Sequence, residues 1–134
     1  ERYHKKALVL GTGGASKAII FSLKSLGIET LTVSRYERHG CVRYEDITPE
    51  MIKEYNVIVN CTPCGMYPQT DDSPNLPYEA MDNHTLLYDL IYNPDETLFL
   101  KKGKAQGATV KNGLEMLLLQ AFASWNFWNS DADK

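Results

Sequence analysis

Leu8-Val9-Leu10-Gly11-Thr12-Gly13-Gly14-Ala15-Ser16-Lys17-Ala18 is the stretch whose reading decides the fold. Three aliphatic residues in succession fit a strand buried on both faces, and the glycines after them permit a tight turn with backbone close to a ligand. From Ala15 onward the sequence fits a helix. A helix that opens on a glycine turn aims unpaired backbone N–H groups and the positive end of its dipole at one spot, which suits a diphosphate. The spacing Gly11-x-Gly13-x-x-Ser16 matches the fingerprint of dinucleotide-binding turns, with serine where a third glycine or alanine is usual. Glycine turns also occur where nothing binds; the strand before this one and the helix after it give the motif its weight.

At 134 residues the chain has the size of one domain, long enough to bury a core and too short for two full ones. Its apolar fraction of 43% and charged fraction of 23% are those of a globular protein. A net charge of -3 without a basic run argues against nucleic acid or an anionic membrane surface as partner. No apolar run approaches a membrane-spanning length and no signal peptide is seen. Because the sequence opens on Glu1 with the first strand only a few residues on, the chain is expected to be a domain of something longer. Three cysteines, Cys41, Cys61 and Cys64, are an odd number and argue for a reducing setting, so a cytoplasmic protein is expected. Cys61-Thr62-Pro63-Cys64 has the spacing of a redox pair, but Gly65-Met66-Tyr67-Pro68 supplies no adjoining helix to lower a thiol pKa, and plain small residues in a loop are the favoured reading. His4, His39 and His84 are scattered, and no metal is expected.

Ala18, Ile19, Phe21, Leu23 and Leu26 give the first helix a broad apolar side, with Gly27 placed to end it. Ile28 to Ser34 reads as a second strand. In dinucleotide folds the residue closing this strand faces the adenosine ribose, and an acid there favours the free 2′-hydroxyl of NAD. Here the strand closes on Ser34-Arg35, which removes a repulsive carboxylate and supplies a guanidinium for a 2′-phosphate; NADP is preferred over NAD. The competing reading of Arg35 is a solvated surface arginine, since Arg38 and Arg43 lie close by. Cys41 to Tyr44 fits a short third strand, and Thr48-Pro49-Glu50 a helix start with threonine as cap. Val57 to Cys61 is a fourth strand running into Thr62-Pro63-Cys64-Gly65-Met66, a loop at the carboxyl end of a parallel strand, where open sheets bind ligands.

Tyr67 to Asn83 reads as a long mobile connection with at most a short helix at Tyr78 to Met81. Leu86 to Tyr92 is a fifth strand, and Asn93-Pro94-Asp95-Glu96 combines a cap, a first-turn proline and a glutamate three residues on. Lys101, Lys102 and Lys104 gather at the far end of that helix, which stops at Gly107. Ala108 to Lys111 is a sixth strand, followed by a final helix in which Leu114, Leu117, Leu118, Ala121, Phe122 and Trp125 share a stripe. Gly113, Met116 and Gln120 share another side, ligand-facing or solvent-facing on pattern alone. The expected architecture is α/β: a Rossmann-like, doubly wound parallel sheet of six strands with helices on both faces.

With these motifs in order, the chain resembles the NADP-binding domain of the shikimate dehydrogenase family. The resemblance rests on Gly11-Thr-Gly-Gly-Ala-Ser16, Asn60-Cys-Thr-Pro-Cys-Gly-Met66, Asp89-Leu-Ile-Tyr-Asn-Pro94 and Asn112-Gly-Leu-Glu-Met-Leu-Leu-Leu-Gln120, and runs from about Lys6 to Trp128. The first motif is shared by many folds; the other three in this order are distinctive. The resemblance implies a pyrophosphate loop at Gly11, Thr12, Gly13, Gly14 and Ala15, with Ser34 and Arg35 on the adenosine 2′-phosphate. It implies Thr62, Met66, Leu90 and Gly113 around the nicotinamide half, and Tyr92 and Gln120 reaching the substrate. Where the family usually has Asn-Arg-Thr after the second strand and then a further basic residue, this chain has Ser34-Arg35-Tyr36 and then Arg38-His39. The NADP preference is therefore expected to be softer, with Tyr36 stacking on adenine or on Arg35.

The implied activity is the reversible NADPH-dependent reduction of 3-dehydroshikimate to shikimate in aromatic amino acid (chorismate) biosynthesis. In the family the lysine and aspartate that handle the proton, and most of the substrate pocket, belong to a separate amino-terminal domain that these 134 residues do not contain. No catalytic residue is expected in this chain, and strand-borne Asp89 is expected to be structural. The fragment is expected to be inactive alone and to self-associate through surfaces including Phe127 and Trp128. The alternatives are a quinate/shikimate dehydrogenase of broader specificity and a non-catalytic dinucleotide-binding module; the presence of Tyr92 and Gln120 weighs against the second.

Overall fold

The computed structural model describes residues 6–36, 39–65, 68–91 and 96–112. The strands β1 (Lys6–Leu10), β2 (Glu29–Ser34), β3 (Cys41–Arg43), β4 (Val57–Asn60), β5 (Leu86–Asp89) and β6 (Thr109–Lys111) form one sheet, ordered β3-β2-β1-β4-β5-β6. Every neighbouring pair is parallel, as the alternating pattern predicts. Around it lie α1 (Gly14–Ser25), α2 (Pro49–Glu54) and α3 (Leu98–Ala105).

Alternation along the strands divides the core between the two faces of the sheet. Ala7, Val9, Val57 and Val59 pack with Ile19 of α1 on one side. Leu8, Leu10, Ile58 and Leu87 pack with Ile52 of α2 and with Phe99 and Leu100 of α3 on the other. Helices on both faces explain why β1 and β4 carry uninterrupted apolar runs: a parallel strand covered on both sides leaves no solvent face for polar residues.

Several boundaries differ from expectation, each for a tertiary reason. The apolar side of α1 is narrower than predicted: Ser16, Ile19 and Leu23 turn toward the sheet, whereas Phe21 is 77% and Leu26 73% exposed. Phe21 sits two residues from Ile19, about 200° around the helix, and has no sheet to cover it. Of the expected helix start at Asn93-Pro94-Asp95-Glu96, the first three residues lie outside the described residues; Glu96 is not helical and the described helix opens at Leu98. Thr97 is its cap, accepting from the Leu100 amide at 3.4 Å while donating its hydroxyl proton to the Asp89 carboxylate at 2.6 Å. That second bond, made across the fold, draws the helix start to Thr97. β5 ends at Asp89 because the Asp89 carboxylate also takes the Ile91 amide at 3.0 Å, folding the chain out of the ladder. The connection before β5 holds a single 3-10 turn, Tyr78–Ala80, and is packed rather than loose: Pro74, Leu76 and Met81 are buried. The Tyr78 hydroxyl donates to the Pro74 carbonyl at 2.7 Å. The Thr48 cap stands as predicted, accepting from the Met51 amide at 3.2 Å.

Candidate functional site: a cleft at the carboxyl ends of β1, β2 and β4

In the order β3-β2-β1-β4-β5-β6 the chain reverses direction of travel between β1 and β4, and a crevice opens at their carboxyl ends. Two hydrogen bonds shape it. The Gly11 amide donates to the Val33 carbonyl and the Cys61 amide to the Leu10 carbonyl, each at 2.9 Å, so the ladders on both sides of β1 persist to its last residue and then part. Gly11 has φ of +111°, and a Cβ there would stand 3.1 Å from Thr62 Cγ2. Backbone conformation and the opposing loop both require glycine at that position.

Gly13 and Gly14 are glycine for a different reason. Neither has positive φ, and a Cβ on either would meet nothing within 4 Å. Their missing side chains leave open space directly before the first turn of α1. That turn has no side-chain cap at Gly13 and no acid, so its dipole and leading amides are not answered by a carboxylate of the helix itself. Ser16, 1% exposed, donates to the Gly13 carbonyl at 2.6 Å and so braces the turn from beneath. The arrangement fits a diphosphate: room, convergent amides and a positive field.

A cleft of about 280 Å³ is lined by Gly11, Thr12, Gly13, Val33 to Tyr36, Tyr44 and Cys61 to Pro63. It adjoins a larger hollow of about 630 Å³ running past Glu45, Cys64, Gly65, Pro68, Gln69 and Asp72 to Asn75, with Arg35, Tyr44, Thr62 and Pro63 common to both. The structure thus brings Gly11, Thr12, Gly13, Ser34, Arg35, Tyr36 and Thr62 together, with Gly14 and Ala15 in the adjoining first turn. Leu90 lies one residue past β5, packed with Cys61 against the α1-side core. Arg38, Met66, Tyr92, Gly113 and Gln120, and the final helix with Phe127 and Trp128, lie outside the described residues.

Arg35 is exposed at the cleft edge, its guanidinium 6.0 Å from the centre of the Tyr36 ring, so of the two partners expected for Tyr36 the arginine is in reach. Ser34 Oγ accepts from the Tyr36 amide at 3.2 Å and holds that corner. Sequence reasoning does not single out Tyr44 as a site residue. It reads only as the end of a short strand, whereas it in fact opens the 3-10 turn Tyr44–Asp46 and joins the two hollows. Burial pushes its phenol up to about 12, with Arg35 pulling the other way, so it faces the cleft uncharged. Burial likewise pushes Cys61 up to about 12, reinforced by the Asp89 charge, and raises Cys64. Those shifts are opposite to what a nucleophilic or redox thiol needs. Among the described residues no cluster of potential metal ligands is found, and no helix is long and apolar enough to cross a membrane.

Beneath the cleft, Asn60, Asp89 and Thr97 are fully buried and bonded to one another. Asp89 accepts from Asn60 Nδ2 at 3.2 Å, the Ile91 amide and the Thr97 hydroxyl. Burial still raises its carboxyl above the usual value against those three bonds. Its three hydrogen bonds all lie within the fold.

Fold and cleft together define a Rossmann-like domain with an open glycine turn at the sheet's switch point. No family model matches the chain. Individual relatives do: it is 38% identical to the shikimate dehydrogenase (NADP(+)) of Crocosphaera subtropica, over 92% of this chain and 49% of that protein. It is 42% identical to that of Clostridium beijerinckii, over 91% of this chain and 47% of the other. It superposes with a TM-score of 0.71 and 32% identity on the shikimate 5-dehydrogenase of Thermus thermophilus solved with NADP(H) and shikimate, covering 92% of this chain and 49% of that one. The chain is a homologue of shikimate dehydrogenases and spans about half the length of the curated relatives it matches.

Proposed function

We propose that residues 1–134 form the NADP-binding half of a cytoplasmic shikimate dehydrogenase, which reversibly reduces 3-dehydroshikimate to shikimate on the route to chorismate and the aromatic amino acids. The observation that carries the reading is the uncapped start of α1, fronted by the open space at Gly13 and Gly14, in one cleft with Arg35.

In this reading the amides of Gly13 to Ala15 hold the diphosphate without a competing carboxylate in the first turn. Arg35 gives the 2′-phosphate a charge-assisted partner, and Ser34, 4% exposed, orients the corner beneath it. Arg38 adds positive charge on the same side, and Tyr36 supports the adenine end. Thr62, Met66, Leu90 and Gly113 form the walls of the nicotinamide half, and Tyr92 and Gln120 reach the substrate. NADPH supplies the hydride. The lysine and aspartate pair that handles the proton is assigned to a separate domain, and no residue of this chain is assigned as catalyst. The small-molecule substrate is shared with that domain, and the face it covers is where the isolated chain self-associates.

Calorimetric titration with NADP and NAD tests the assignment. NADP binds at least ~10-fold tighter, the worth of one charge-assisted contact, and Arg35→Ala removes most of the difference. Equal affinities in the parent chain, or a preference that survives Arg35→Ala, refute it. Steady-state reduction of NADP with shikimate by this chain alone is expected to be absent; robust turnover overturns the placement of the proton-handling pair elsewhere.

A further inference from the structure

The cleft loop Cys61 to Gly65 and the segment leaving β5 are joined by a hydrogen-bond chain whose direction is fixed at one end. Asp89 Oδ1 accepts from both Asn60 Nδ2 and the Ile91 amide, while Oδ2 accepts from the Thr97 hydroxyl. An ionised carboxylate has no proton to give, so Asn60 must turn its NH2 toward Asp89 and its carbonyl the other way. That NH2 also reaches the Cys64 carbonyl at 3.4 Å. The carbonyl, Oδ1, accepts from the Thr62 amide at 3.0 Å and from the Thr62 hydroxyl at 2.6 Å. Thr62 Oγ1 in turn accepts from the Cys64 amide at 3.2 Å. Were the Asn60 amide flipped, NH2 would face two donors and a carbonyl would face a carboxylate, breaking the contacts at both ends.

We infer that Asp89 is a positioning residue: by orienting the Asn60 amide it sets the shape of the Cys61 to Gly65 loop and leaves Thr62 facing the cleft as a hydrogen-bond acceptor. The hydroxyl proton of Thr62 is committed to Asn60, so a ligand group meeting Oγ1 must be a donor, such as a ribose hydroxyl or an amide NH2, and not a phosphate oxygen. Protonation of Asp89 does not undo this. With Asn60 and Ile91 both donating to Oδ1, a proton goes to Oδ2, where the Thr97 hydroxyl must turn its own proton away and accept, and Oδ1 stays an acceptor. Gly65 closes the loop against the same residue: a Cβ there would stand 3.7 Å from Thr97 Cβ and 2.9 Å from the Asp72 carbonyl, so no side chain separates loop from cap. Thr97 thus couples the start of α3 to the cleft through the same carboxylate.

The nucleotide part of this inference rests on the dinucleotide reading above; the orientation of Asn60 does not, and the two are tested apart. Asp89→Asn retains an acceptor at Oδ1 and the side-chain shape, whereas Asp89→Leu retains only bulk. In 15N NMR of the chain, the Asn60 side-chain NH2 is expected to exchange slowly with solvent in the parent and in Asp89→Asn, and rapidly in Asp89→Leu. NADPH affinity, read by nicotinamide fluorescence, is expected to stay within about 3-fold in Asp89→Asn and to fall ~10-fold or more in Asp89→Leu, the worth of one misplaced buried bond. If Asp89→Leu does not fold, Asp89→Ala takes its place, removing the same acceptor, with the same two readouts, the same expected loss and the same refuting result. An Asp89→Asn variant as impaired as Asp89→Leu, or a folded Asp89→Leu with a slow Asn60 NH2 and parental affinity, overturns the inference. A parent chain that binds no NADPH but shows the NMR pattern refutes the dinucleotide reading and leaves this one standing.

Discussion

Replacing Gly14 by aspartate should make the fold more stable and the proposed site worse, because the same feature, an unanswered helix start, is treated oppositely by folding and by an anionic ligand. Gly14 is the first residue of α1, its φ is not positive, and a Cβ there meets nothing within 4 Å, so the substitution introduces no clash. An acid in the first turn stabilises a helix by roughly 0.3–1 kcal/mol through its dipole, and removing a glycine restricts the unfolded chain for about 0.4–1 kcal/mol more. Together these amount to about 0.7–2 kcal/mol, a rise of a few degrees in Tm for a domain of this size. For the ligand the sign reverses. A carboxylate about 5 Å from a phosphate charge, at an effective dielectric near 20, costs about 3 kcal/mol for each pair. At an exposed rim salt screening reduces that, which leaves a loss of at least ~10-fold in affinity. The assay is thermal unfolding beside NADPH titration at two ionic strengths, with Gly14→Ala as the uncharged control: modest gain in Tm, smaller loss in affinity. A lower Tm for Gly14→Asp would refute the claim that the helix start is open and uncapped. Parental affinity at low salt would refute the claim that it faces a diphosphate.

Two further outcomes follow from the buried ionisable groups. Cys61, pushed up to about 12 from an ordinary 9.0, is expected to react with iodoacetamide at pH 8 at least ~10-fold more slowly than in the unfolded chain, the smaller thiolate fraction outweighing the greater nucleophilicity of a high-pKa thiolate; labelling at the unfolded rate would count against its burial beside Asp89. For Asp89 the folded carboxyl lies above its unfolded value of 3.8, so between those two values the folded state holds the proton that the unfolded state has lost, and stability falls as pH rises through that interval. The parent's stability minus that of Asp89→Asn, measured in urea across acid pH, should therefore decline with rising pH; a rising difference would mean the three hydrogen bonds outweigh burial.

Much of the fold is readable because its cues are local. The apolar runs of β1 and β4, the glycine turn at Gly11, the Thr48 cap and the glycine stop at Gly27 depend on neighbours within a few residues, and each stands where the sequence places it. The site is readable in part for the same reason: a strand, a glycine turn and a helix start form one continuous segment, and Arg35 follows directly from the end of β2. Thr97 shows where such reasoning stops. Asn93-Pro94-Asp95-Glu96 is a sound local cap pattern, but the described helix starts at Leu98, where a threonine hydroxyl reaches a carboxylate eight residues back.

The sequence alone determined an alternating α/β chain with a glycine turn between its first strand and first helix, since periodicity, capping and glycine freedom act over single turns and single strands. Only the tertiary structure decided that Tyr44 joins two hollows, that Phe21 stands in the open, and that Asn60 and Asp89, 29 residues apart, share a hydrogen bond. Those facts depend on which strands lie side by side and in what register. No local pattern encodes that: pairing distant segments is settled by how the whole apolar surface can be buried at once with every buried polar group answered.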